Sequence, residues 1–317
     1  MNAPENWRPT ANAARLKARA CLLEDIRNFF AGRAVMEVET PLLSTAGNTD
    51  PEIHSIRTHT GGYLRTSPEF ALKRLLASGS GDIYELGRVF RAGESGRSHN
   101  PEFTMLEWYR IGFSYHQLMD EVALLVKQCG RGRFDHWPIE KLSYRELFLR
   151  HIDLDPFSAE PTELSTAASR QGIDDIDLDR RQWLDLLISL VIQPNLPEEC
   201  LTFVYDFPAD QAALARVRPE SPPIAERFEL YLGHVELANG YQELSDAAEQ
   251  QRRFDVENAK RKKRGQEMCK IDHHLVRALE HGLPECSGVA LGVDRLLMAV
   301  CGANEISEVT AFPFSRA

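Results

Sequence analysis

Apolar and polar positions alternate along the chain in ways that predict most of its elements. Leu16, Ala20, Leu23, Ile26 and Phe30 recur at three- and four-residue steps, with Arg15, Lys17, Arg19 and Arg27 between them. That spacing predicts an amphipathic helix over residues 11–33, with Gly32 as its C-terminal signal. Residues 35–40 alternate with period two, as a strand does, and Pro41 stops them. Gly61-Gly62 marks a turn before a short strand at residues 63–66. Ser67-Pro68-Glu69 then opens a helix through Leu76: Ser caps, Pro takes the first helical position, Glu sits in the first turn. Residues 83–90 and 103–109 read as strands on either side of a polar loop.

Helical patterns dominate from residue 114 to about 196, for example 117–127 and 183–192, with breaks at Pro156 and Pro161. The Asp-rich residues 174–179 lead into a helix at the favourable end of its dipole. Strands return at 201–205 and 228–237, and a long charged helix covers 246–264. Finally Gly288-Val-Ala-Leu-Gly292 enters a helix at 293–300. Strands at both ends with helices between predict a mixed α+β fold on a mainly antiparallel sheet flanked by helices. We read residues 1–317 as a single domain, with a mostly helical insertion at about 114–200.

Composition narrows the class. The 317 residues are 43% hydrophobic and 26% charged, as in a globular protein. No apolar run approaches the ~18 residues of a membrane span, and residues 1–8 show no secretory h-region. Six dispersed cysteines without a CxxC pair speak against a zinc ribbon or a disulfide framework. Free thiols in a reducing cytoplasm are expected. Formal net charge is −10, the wrong sign for gripping nucleic acid through its phosphates.

Three segments carry candidate chemistry. In residues 90–103, Arg91, Arg97 and His99 can complement phosphate charge, and Phe103 can stack on a purine. An ordinary surface hairpin with ion-paired arginines has the same pattern. Glu229 and the run Glu236-Leu-Ala-Asn-Gly-Tyr-Gln-Glu243 gather carboxylates and an amide in an apolar stretch. They suit Mg²⁺ with substrate phosphates, an ammonium group, or simply a solvated strand face. Period two alone does not decide whether Glu229 and Glu236 share a face. In Gly288-Val-Ala-Leu-Gly292-Val-Asp294-Arg295 the glycines permit close approach, and Arg295 falls in a first helical turn, where polyphosphate is favoured. A packed corner with an Asp294–Arg295 ion pair is the alternative. There is no GxGxxG in a βαβ unit and no GxxxxGK[ST].

In this order the segments resemble the three motifs of class II aminoacyl-tRNA synthetases. The likeness is strongest to the lysyl enzymes and to their stand-alone paralogues, which attach β-lysine to elongation factor P. Helix 11–33 with the strand ending at Pro41 resembles the first motif, which implies a homodimer. The second carries His-Asn-Pro-Glu-Phe-Thr-Met-Leu-Glu-Trp-Tyr at 99–109, and residues 288–295 resemble the third. Thr66-Ser-Pro-Glu69 and residues 236–243 resemble the lysine pocket segments.

The resemblance implies a ligase that activates (R)-β-lysine as an adenylate with ATP and Mg²⁺. It then transfers the acyl group to a lysine side chain of elongation factor P in the cytoplasm. Arg91 and Arg295 would be catalytic. Gly93, Glu94, His99, Asn100, Phe103, Glu236, Leu237 and Gly292 would complete the ATP site, with Glu229 and Glu236 on the metal. Ser67, Pro68, Glu69, Glu107, Tyr109, Asn239, Glu243 and Ala290 would hold the amino acid. Several carboxylates and a tyrosine hydroxyl suit two ammonium groups, since unpaired buried charge is costly.

Two positions depart from the synthetase pattern. Arg91-Ala92-Gly93-Glu94 stands where Arg-x-Glu is usual, so the adenine contact falls to Glu94 or to backbone at Gly93. Ala290 stands where lysyl synthetases carry Gly; the Val-Ala-Leu form found here resembles that of the β-lysine ligases. No room precedes residue 11 for an anticodon-binding domain, so tRNA is not the expected partner. A lysyl-tRNA synthetase-like enzyme and a non-catalytic regulatory paralogue are the rival readings.

Overall fold

The computed structural model describes residues 7–173 and 176–317. Residues 1–6 of the leader reading, and Asp174 and Asp175 of the Asp-rich run, lie outside them. The elements in chain order begin with α1 (Ala13–Ala31), β1 (Met36–Glu37), β2 (Leu43–Ser44), β3 (Tyr63–Leu64), α2 (Glu69–Ala77), β4 (Ile83–Phe90), β5 (Glu102–Ile111) and α3 (Tyr115–Cys129). There follow β6 (Ile139–Ser143), α4 (Tyr144–Ile152), α5 (Pro161–Arg170), α6 (Arg180–Leu187), β7 (Leu201–Pro208), β8 (Val217–Arg218), β9 (Ile224–Leu232) and β10 (Val235–Gln242). The chain closes with α7 (Ala247–Lys263), α8 (His273–His281), β11 (Cys286–Gly292) and α9 (Val293–Cys301).

Nine strands form one sheet in the order β1-β4-β5-β11-β10-β9-β7-β6, with β8 on β9. Only the edge pairs β1–β4 and β6–β7 are parallel, so the α+β, mainly antiparallel expectation holds. One face of the central strands buries Leu106, Trp108, Leu230 and Leu291 beneath α1, α3 and α9. There Phe30 stacks on Tyr84 at 4.3 Å and meets Trp108 edge-on at 5.5 Å. The opposite face is left for the site. A second core joins α4, α5 and α6 to β7, and a third joins α2, α7 and α8. α3 packs into the first core rather than with α4–α6, and β6 is a strand that the helical pattern hid.

Local chemistry accounts for the boundaries. Asn12 caps α1 by accepting from the Arg15 amide at 3.0 Å. Ser114 and Gln117 form a capping box on α3, and Asp179 caps α6. Gly32 does end α1, but with φ −67°; the left-handed residue is Ala34. The single strand expected at 228–237 is the adjoining ends of β9 and β10. They turn at Gly233, whose φ is +58° and whose added Cβ would lie 2.7 Å from Glu198 O. Of the strand expected at 35–40, only Met36–Glu37 pairs with β4. Among the described residues no helix is long and apolar enough to cross a membrane.

Candidate active site

Strand register brings the candidate residues to one face. Glu85, Glu107, Ala290, Asn239 and Glu229 stand level across β4, β5, β11, β10 and β9. Tyr109, Gly288, Tyr241 and Arg227 form the next level. Glu236 and Asn239 are three residues apart, and a regular strand would send them to opposite faces. A β-bulge between Glu236 and Ala238 restores them to one face. The sequence carried no signal for this bulge. It settles the open question: Glu236 pairs with Tyr231, and Glu229 lies two residues away on the same face.

The face forms an open cleft. Arg91, Glu94, His99, Asn100, Phe103, Glu236, Leu237, Gly292 and Arg295 line one end. Arg91 Cζ sits 5.2 Å from the Phe103 ring centre, and its Nη1 is 3.4 Å from Glu94 Oε1. Its Nε is buried without a hydrogen-bond partner. Arg295 Nη1 donates to Glu236 O at 2.8 Å, and Nη2 lies 2.6 Å from His99 Nε2. A guanidinium only donates, so His99 accepts there and is neutral. Burial and then the Arg295 charge push its pKa below the usual value.

Several residues differ from expectation. The alternative Asp294–Arg295 ion pair is not formed. Asp294 instead meets Arg19 Nη1 at 2.6 Å and accepts from the Thr104 amide at 2.6 Å, which leaves Arg295 for the cleft. Asn100 is fixed by backbone at both polar ends: Nδ2 donates to Glu102 O at 2.6 Å and Oδ1 accepts from the Phe314 amide at 3.0 Å, which leaves the second N–H of Nδ2 available to the cleft. Gly93 forms the hairpin turn and does not line the cleft, whereas Glu94 does. A Cβ on Gly292 would meet Arg295 and Leu237 only at 3.7–3.8 Å, so nothing in the protein itself demands glycine there.

Ser67, Glu69, Glu107, Tyr109, Asn239 and Ala290 line the other end. Pro68 faces a neighbouring depression instead. Glu107 accepts from Ser67 Oγ at 2.7 Å and Tyr109 OH at 2.8 Å. Burial, then the charge of Glu69, push its carboxyl up to about 8. Glu243 lies behind Gly288, where an added Cβ would be 2.5 Å from Glu243 Oε1 and 2.3 Å from the Tyr109 ring. Burial pushes Glu243 up to about 7, against the pull of Lys73. Lys73 was missed in the sequence. Its side chain is 1% exposed, 2.7 Å from Glu69 Oε1 and 2.6 Å from Glu243 Oε2. The available signal was its i,i+4 spacing from Glu69.

Glu229 sits just behind the wall, accepting from Tyr231 OH at 2.6 Å and paired with Arg227. Glu236 is 41% exposed to the cleft, yet the surrounding walls, and then the Glu229 charge, push its carboxyl up. Among the described residues no cluster of three or more His, Cys, Asp or Glu could hold a metal. Glu236 on the wall with Glu229 just behind it forms a smaller donor set of two carboxylates, of a size that suits Mg²⁺ completed by phosphate oxygens. A cation beside both would relieve their repulsion.

This sheet, with a phosphate-suited end and a carboxylate-lined end, belongs to the class II tRNA synthetases (D, K and N), whose family model matches residues 6–316. Curated relatives are similar over their whole length. The elongation factor P–(R)-β-lysine ligase of Vibrio cholerae is 50% identical over 98% of this chain and 99% of its own. Proteins of the same name from Yersinia enterocolitica and Salmonella typhi are 48% and 47% identical over 100% of both chains.

Proposed function

We propose that the chain is an ATP-dependent ligase that activates (R)-β-lysine and transfers it to a lysine side chain of elongation factor P. The observation that carries this reading is the division of one cleft into two ends. Arg91, Arg295 and Phe103 suit a nucleotide, and three glutamates suit a diamino acid. The full-length relatives of that name support the choice of amino acid and acceptor.

In the first half-reaction a β-lysine carboxylate oxygen attacks the α-phosphorus of ATP. The bond from that phosphorus to the β-phosphate bridging oxygen breaks, and pyrophosphate leaves. Next, the acceptor lysine amine attacks the acyl carbon of the adenylate and loses a proton, and AMP leaves. Arg91 neutralises charge at the α-phosphate, and Arg295, fixed by His99 and Glu236 O, meets the γ-phosphate. This is catalysis by positioning and charge complement. Mg²⁺ would be held by Glu236 with Glu229 and would neutralise polyphosphate charge when bound. Glu94 is the reading for the adenine contact, since it lies on the wall and Gly93 does not.

Exposed Met36, Leu42 and Leu43 beside β1 and β2 suit a second copy of the chain, and light scattering in solution tests that homodimer. The six free cysteines fit a cytoplasmic location. Arg91→Ala is expected to abolish β-lysine-dependent ATP–pyrophosphate exchange; normal exchange would remove the site assignment. Charging of bulk tRNA with lysine would favour the synthetase reading. Mass spectrometry of elongation factor P after incubation with β-lysine and ATP tests the acceptor, and an unmodified protein would overturn it.

A further inference from the structure

Lys73 has no part in the reaction above, yet it is the most deeply buried cation beside the amino-acid end. Its ammonium bridges two carboxylates that arrive from different elements. Glu69 starts α2 one turn earlier, and Glu243 follows β10. Burial alone would discharge the amine, but the charges of Glu243 and Glu69 outweigh it and keep it protonated. We infer that Lys73 is a positioning residue that sets the specificity of the amino-acid end: a built-in ammonium that ties Glu69 to Glu243 and matches the pocket's remaining charge to a ligand with two ammonium groups. This rests on the proposed amino-acid pocket.

The charge count supports it. Glu69, Glu107 and Glu243 against one lysine leave two negative charges when all are ionised. The other titratable groups facing this cluster are Tyr109 on β5, Tyr241 on β10 and Cys286 on β11. Burial pushes all three up, so they stay neutral and supply no cation. Arg227, the next cation along the wall, is taken by Glu229. Without Lys73, three carboxylates would share a buried space, which favours protonating them. A protonated acid is a poor partner for a substrate ammonium.

Lys73→Gln removes the charge and keeps a hydrogen-bond donor. We expect its KM for β-lysine in pyrophosphate exchange at pH 7 to rise about tenfold, equivalent to about 1.4 kcal/mol. Its KM for ATP should stay near that of the unmodified protein. The β-lysine penalty should shrink at pH 9, where the acids ionise again. A penalty equal at both pH values, or shared by ATP, marks a packing role and overturns the inference. If the single variant does not fold, Lys73→Met/Glu243→Gln removes the pair together. Recovery of a cooperative melt in the double variant supports the counter-charge role, and continued misfolding overturns it. Absence of β-lysine-dependent exchange in the unmodified protein would instead refute the proposed function itself.

Discussion

Burial, then the charge of Glu69, push the Glu107 carboxyl up to about 8 in the ligand-free cleft. The unfolded chain, with an ordinary Glu pKa of about 4.3, loses this carboxyl proton at lower pH. The folded state therefore binds more protons than the unfolded one between those values, and this contribution to stability is lost as pH rises toward 8. Glu243, at about 7, acts in the same direction. A ligand with two ammonium groups favours the ionised acids. The thermal stabilisation by β-lysine is thus expected to grow from pH 6 to pH 8.5, and Glu107→Gln to flatten that growth. Differential scanning fluorimetry reads both, and a ligand shift independent of pH would contradict this proton balance. Ala290 stands level with Glu107 and Asn239 and lines the cleft between them. Ala290→Gly is expected to raise the kcat/KM for α-lysine relative to β-lysine, within the ~1–3 kcal/mol that one methyl can discriminate. An unchanged ratio in pyrophosphate exchange would remove that role. Most of the cleft-lining residues were legible as motif residues. Lys73 was not, because a lysine one turn after a glutamate also describes a solvated helix face.

Elements position these residues through a few buried ties. Asp294 at the start of α9 binds Arg19 of α1 and the Thr104 amide of β5, and its side chain is only 4% exposed. It therefore fastens two helices to the strand that carries Glu107. Asp294→Ala leaves Arg19 without this partner and is expected to cost about 3–5 kcal/mol, as breaking a buried pair does. Urea unfolding measures this, and a loss within 0.5 kcal/mol, typical of a surface change, would show that the tie is dispensable. Periodicity made α1, α2, α3 and α9 legible, since that signal is local. The cap expected at Ser67 falls one residue off: Pro68 takes the cap position of α2 without a side-chain hydrogen bond, and Glu69 is the first helical residue, its amide donating to Ser67 Oγ at 2.9 Å. The β9–β10 turn and the bulge after Glu236 were not legible. The Glu198 carbonyl crowds the turn at Gly233, and the bulge is a register shift of β10 against β9; neither contact shows in the hydrophobic pattern. The strand β6 was hidden for the same reason: Ile139–Ser143 gains its identity only by pairing with β7.

At the scale of the molecule the net charge of −10 is unevenly spread. The basic run at the end of α7 reads from sequence as a solvated helix face, and part of it is something else. Arg261 is buried and donates to Glu267 O at 2.9 Å and Asp50 O at 2.8 Å, and Arg264 pairs with Glu52. Lys260, Lys262 and Lys263 are left exposed together. A cationic patch on an otherwise acidic protein steers an acidic acceptor toward it, and such steering weakens as salt screens it. The reversal Lys260→Glu/Lys262→Glu/Lys263→Glu avoids the buried Arg261. It is expected to lower kcat/KM for transfer to elongation factor P by about threefold to tenfold at low ionic strength, as steering terms do. At high salt the difference should vanish. Pyrophosphate exchange, which involves no protein acceptor, should be unaltered throughout. Equal transfer rates at low salt would return the three lysines to the role of a solvated face.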